Sequence, residues 1–176
     1  MKISVSSIVR DHFKTLYAGD GVLATVGDFL LFFGMPLAGA AFAWGRGFEL
    51  KSDAYNLSIT FFGIFIALLL NIQVAIFSIF QRKWTTPSDA REAKVQQKVV
   101  AARRALLEEL NANISYLVLI CCIALVAVLT FYVSEWRAGV APAITILLYG
   151  HFLLTLLMIV KRSHALFQKE YRDSPE

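Results

Sequence analysis

Apolar and polar residues alternate in long blocks along this chain rather than at short range. Residues 22–44, 57–80, 114–133 and 141–160 are almost wholly apolar. At about 1.5 Å of rise per residue, each block as a helix is long enough to cross the roughly 30 Å hydrocarbon core of a bilayer. The polar stretches between them differ in length. Residues 45–55 and 134–140 make short connections, whereas 85–113 is long and charged. From Ser88 to Ala138 there is no glycine and no proline, so nothing interrupts a helix passing from the charged stretch into the third block. Thr86-Pro87-Ser88-Asp89 reads as a capping box with proline at the first helical position. A helix from Pro87 to Tyr132 reaches about 70 Å, roughly twice the hydrocarbon thickness. The pattern predicts a rod with one end in water and the other in lipid.

Finer periodicities sit on this frame. Val5, Ile8, Val9, Phe13, Leu16 and Tyr17 recur at three- and four-residue spacing. They predict an amphipathic N-terminal helix lying on the membrane interface, with docking on the charged helices as the alternative. Gly19-Asp20-Gly21 ends it, and Asp20 can cap the next helix. In the first block Gly34 and Ala38 belong to a run of small residues that permits close helix approach, and Pro36 predicts a kink. In the second block Gly63, Ala67, Asn71 and Ala75 form a small-residue stripe with one amide in it. Val95, Val99, Ala102, Leu106 and Leu110 form a short coiled-coil-like seam that needs a partner. The tail beyond Val160 continues as helix, with Val160, His164, Phe167 and Tyr171 on one face available to that seam. The short connections predict that blocks one and two, and blocks three and four, each fold as an antiparallel hairpin.

Composition strengthens the membrane reading. Of 176 residues, 57% are hydrophobic and 17% charged, and the mean hydropathy is +0.61. A soluble domain carries about a quarter charged residues. A cleaved signal peptide is disfavoured, because the segment before residue 22 is long and contains Asp11 and Asp20. Fourteen of the 17 basic residues fall in the N-terminal segment, the long middle connection or the tail; only Arg46, Lys51 and Arg137 lie in the short connections. The positive-inside rule then places both termini and residues 85–113 in the cytosol. The net charge of +4 follows from this asymmetry and does not indicate nucleic-acid binding.

Candidate chemistry is sparse. Asp28, Asn71, Gln73 and His151 fall in one band of depth when each block is counted from its cytosolic end. They read either as the lining of a polar path or as an interhelical hydrogen-bond network. His12, His151 and His164 lie in separate segments without ligand spacing, and there is no CxxC, so no metal or cofactor is expected. No phosphate-cradling glycine motif or nucleophile elbow occurs, and no enzyme is expected. The length and four blocks resemble the inner-membrane disulfide-generating quinone oxidoreductases. Those proteins need cysteine pairs in their outer loops, and the only cysteines here, Cys121 and Cys122, are adjacent within the third block, which excludes that family.

The expectation is therefore an all-α, four-span helical integral membrane protein with a cytosolic helical stalk. Residues 1–20 form the interfacial helix, 21–84 the first hairpin, 85–113 the stalk, 114–160 the second hairpin and 161–176 the tail. The expected function is a self-associating inner-membrane channel or pore with the stalk as sensor or gate. The alternatives are a non-conducting anchor or adaptor whose stalk binds a protein, and a small transporter subunit. The expected partners are the lipid bilayer, further copies of the chain and a cytosolic protein.

Overall fold

The computed structural model describes residues 4–16, 26–27, 29–81 and 90–173, and nearly all of them are helical, with no strand among the described residues. Helix α1 spans Val5–Leu16. Helix α2 spans Leu30–Gly45, α3 Ser52–Phe80, α4 Ala90–Val133 and α5 Val140–Asp173. The segments Ser52–Phe80, Ala93–Val133 and Val140–Ala165 are long and apolar enough to cross a membrane; α2 is a shorter apolar helix. The capping box at residues 86–89, the Gly19–Gly21 break and Asp28 lie outside the described residues.

Helix α4 runs for 44 residues, with no change of helix type at Asn111–Asn113. Besides Asn113 and Tyr116, its buried positions are Leu107, Leu110, Ile114, Leu117, Cys121, Ala124, Val128 and Phe131. These eight apolar positions alternate at three- and four-residue steps, the seven-residue repeat that keeps one seam turned toward its neighbours. Helix α3 answers with Tyr55, Phe62, Leu69 and Ile76, each seven residues apart. Both seams join one core with Leu148 and Phe152 of α5. Phe62 sits at its centre, edge-on to Phe152 at 5.8 Å between ring centroids and tilted against Tyr149 at 4.8 Å.

Helix order in space departs from order along the chain. α3 packs on α4, α4 on α5, and α5 on α2, while α2 and α3 share no close backbone approach. The two helices joined by this short connection therefore do not pack on one another. Residues 46–51 cross the end of the bundle instead of turning back on α2. The Leu50 N–H donates to the Arg137 carbonyl at 2.9 Å, and the Tyr55 hydroxyl donates to the Trp136 carbonyl at 2.7 Å. The crossing begins at Gly47, whose φ of +62° closes α2 with a Phe48 N–H to Ala43 carbonyl bond. A short connection limits how far the chain travels, but it does not decide which neighbour offers the better packing face.

Pro36 shapes α2. It has no N–H, so the Phe32 carbonyl lacks its ordinary donor four residues on. The backbone widens into a π-turn over Leu30–Gly34, closed by the Met35 N–H on the Leu30 carbonyl. Pro36 is also the point of closest approach to α5. A Cβ built on Gly150 would lie 3.1 Å from Pro36 Cβ and 3.3 Å from its Cα. Gly150→Val is therefore expected to lower stability by about 1–3 kcal/mol through overpacking. Unfolding in mixed micelles would measure it; a loss of only a few tenths would mean that α2 does not rest on α5 here.

Candidate functional site

Three of the polar side chains that the fold buries, His12, Asn113 and His151, gather where α1, α2, α4 and α5 meet, whereas Ser58 and Thr145 are buried elsewhere and bonded within their own helices. α1 reaches this junction because it docks on α4, with His12 on the docked side. His12 is fully buried there. Its Nδ1 lies 2.8 Å from Asn113 Oδ1, an atom that can only accept, so Nδ1 carries the proton and donates. The Thr15 hydroxyl lies 2.9 Å from the same oxygen and 2.7 Å from the His12 carbonyl. Asn113 Nδ2 donates to the Glu109 carbonyl at 2.8 Å, which holds the amide in place. The His12 ring stacks on Tyr116 at 3.7 Å between centroids with 4° between planes.

Tyr116 links this group to a second histidine. His151 Nδ1 is 3.1 Å from the Phe32 carbonyl, which Pro36 leaves without its ordinary helical partner. Nδ1 therefore donates, Nε2 is left as acceptor, and the Tyr116 hydroxyl 2.8 Å away donates to it. Arg162 of α5 closes the inner edge. Its Nη1 lies 3.2 Å from Glu109 Oε2, and its Nη2 donates to the Thr15 carbonyl at 2.7 Å, near the C-terminus of α1. A cation is favoured at that end of a helix.

This environment opposes charge on His12. Burial is the main cause that lowers its pKa from the ordinary 6.5 to about 4; His151 and Arg162 lower it further, against the pull of the Asn113 hydrogen bond. His12 is thus neutral at pH 7, with Nε2 as a bare lone pair that finds no partner among the described residues. Tyr116 stands between the two histidines, and no group of three ligating side chains forms among the described residues.

The sequence-derived candidates are distributed as follows. Asp28 is outside the described residues. His151 is buried in the cluster above. Gln73 donates to the Ser115 hydroxyl at 2.6 Å, a separate α3–α4 bond. Asn71 is exposed on α3. Gln73, Asn71 and His151 therefore do not converge on one lumen. Gly63 and Ala67 share the exposed face with Asn71, and a Cβ on Gly63 would meet nothing. Ala38 is exposed as well, and a Cβ on Gly34 would meet only Leu30 of its own helix. Within this protomer none of these four packing candidates is at a helix contact; small residues that are include Ala40, Ala43, Ala124 and Gly150. The large side chains of α3 find a complementary groove, which turns its small residues outward.

The stalk seam is split. Val95 and Val99 are exposed, at 62% and 36% of their surface, Ala102 and Leu106 are half-buried, and Leu110 joins the core. The tail face expected to cover it is turned away, with Val160, His164 and Phe167 all exposed. Sequence reasoning placed none of His12, Thr15, Asn113 and Tyr116 in the polar band. The one available signal was an asparagine seven residues beyond Leu106 of the stalk seam. No family model, no curated protein and no solved structure matches this chain.

Proposed function

We propose that this chain is a multi-pass inner-membrane protein of four spans, with both termini in the cytosol, acting as a non-conducting anchor whose stalk binds a protein partner. The observation that carries this reading is the single α4 helix. One half is locked into an apolar core, and the other leaves Val95 and Val99 exposed among basic residues. An apolar pair on a charged helix is a surface that a second helix covers favourably. Two of the polar groups that would line a pore, Gln73 and His151, are instead bonded to neighbouring helices.

A second reading is a pore assembled from several copies. It is favoured by Asn71, an amide exposed on an apolar face beside Gly63 and Ala67, where a bilayer offers it no partner. Purified full-length protein in liposomes separates the two. The anchor predicts no ion flux above empty vesicles, and Val99→Cys in a cysteine-free background reports whether a second copy occupies the stalk. Flux that Asn71→Leu abolishes without loss of folded protein would replace the anchor by the pore.

A further inference from the structure

We infer that α1 is a pH-released latch: it stays docked on α4 while His12 is neutral and lets go when His12 gains a proton. The inference rests on the geometry of the docked helix and does not depend on the anchor reading. His12 is the polar centre of the α1–α4 contact, fully buried, bonded through Nδ1 to Asn113 and stacked flat on Tyr116. A proton can be added only at Nε2, which is buried and has no acceptor among the described residues. A buried donor without an acceptor opposes docking, and a buried cation opposes it more strongly.

The charges around the ring decide the direction. From α4, Tyr116 lies against the ring and Glu109 lies one turn below Asn113. Glu109 is already engaged by Arg162, at 3.2 Å. From α5, Arg162 and His151 both disfavour a positive charge on His12. On α1 itself, Asp11 is half-buried and paired with Lys14 at 3.1 Å and with Arg10 at 3.9 Å. α2 contributes Phe33, stacked on Phe13, and no charged side chain among the described residues. Among the described residues no carboxylate is therefore positioned to accept from the new donor, while Arg162 and His151 both oppose the added charge.

Linkage gives the pH window. Undocked, the imidazole has its ordinary pKa of 6.5; docked, it is held at about 4. Docking is fully favoured above pH 6.5. It weakens as pH falls, because the undocked form takes up the proton first, and the loss is complete below about pH 4. The docking equilibrium shifts by up to about 300-fold across this range.

The experiment uses the full-length protein in nanodiscs, from pH 7.5 to 4. Amide exchange of residues 5–16, corrected for the intrinsic rate at each pH, reads docking. Nitrogen shifts of labelled histidine, assigned with His12→Gln, read protonation. In the wild type, α1 protection is expected to fall by about two orders of magnitude on acidification, with the His12 signal turning cationic in step. His12→Gln, which can still donate to Asn113, is expected to hold its protection constant. Two results overturn the inference: His12 titrating near 6.5 while α1 stays protected, or the same acid loss in wild type and His12→Gln. If the glutamine variant does not dock at any pH, the wild-type imidazole titration decides alone, by whether it moves with protection or apart from it.

Discussion

Tyr116→Ala is expected to destabilise the protein by about 3–5 kcal/mol, the range for truncating a large buried aromatic. Three contacts disappear together. They are the face on which His12 stacks, the hydroxyl that donates to His151, and the ring volume between α1 and α5. Tyr116→Phe separates them, since it keeps the ring and leaves His151 Nε2 without its donor. Its expected cost is about 1–2 kcal/mol, the scale of a hydrogen bond inside a helical membrane protein. Reversible unfolding in mixed micelles measures both. Because Tyr116 touches His12, the pair should also be non-additive, with His12→Ala costing less once Tyr116 is already alanine. A Tyr116→Ala variant within about 1 kcal/mol of wild type would show that the two histidines are not held through this ring.

A comparable loss is expected for Phe62→Ala, about 3–5 kcal/mol, whereas the adjacent Gly63→Leu should be nearly silent. Phe62 is completely buried among Phe61, Tyr149 and Phe152. A Cβ at Gly63 meets no atom within 4 Å. Leucine there also favours the helix over glycine by up to about 1 kcal/mol. The pair decides which face of α3 holds the fold, with unfolding as the readout. If Gly63→Leu were the damaging substitution, α3 would be docked by its small residues. If Gly63→Leu left stability unchanged but altered the oligomeric state in detergent, the exposed stripe would be a surface between copies of the chain.

The contrast shows why small-residue patterns mislead when read alone. Gly63, Ala67, Asn71 and Ala75 recur every four residues and Tyr55, Phe62, Leu69 and Ile76 every seven. In a wholly apolar segment both are legitimate faces, because lipid tails are as apolar as a protein core. Hydrophobicity cannot break that tie. The groove lined by Tyr149 and Phe152 on α5 breaks it, and those residues are about ninety positions away in the chain. His12 and Asn113 illustrate the same point, for they lie 101 residues apart and meet at 2.8 Å. Each looked ordinary in its own segment. The freed carbonyl of Phe32 was more legible, since Pro36 four residues on implies it; that His151 would claim it was not.

Local interactions determined from the sequence alone that this chain is helical, that its apolar blocks are of membrane-crossing length, three of which the structure shows as helices long and apolar enough to cross a bilayer, and that a helix passes unbroken from the charged stretch into the third block. Run length, the absence of glycine and proline, and backbone hydrogen bonds four residues apart suffice for that. Tertiary structure decided the rest: α2 beside α5 rather than α3, α1 docked through His12, and the polar residues separated into bonds between helix pairs. Those outcomes depend on helix rotation and on shape complementarity between distant segments. Neither is encoded in a pattern that extends only a few turns along one helix.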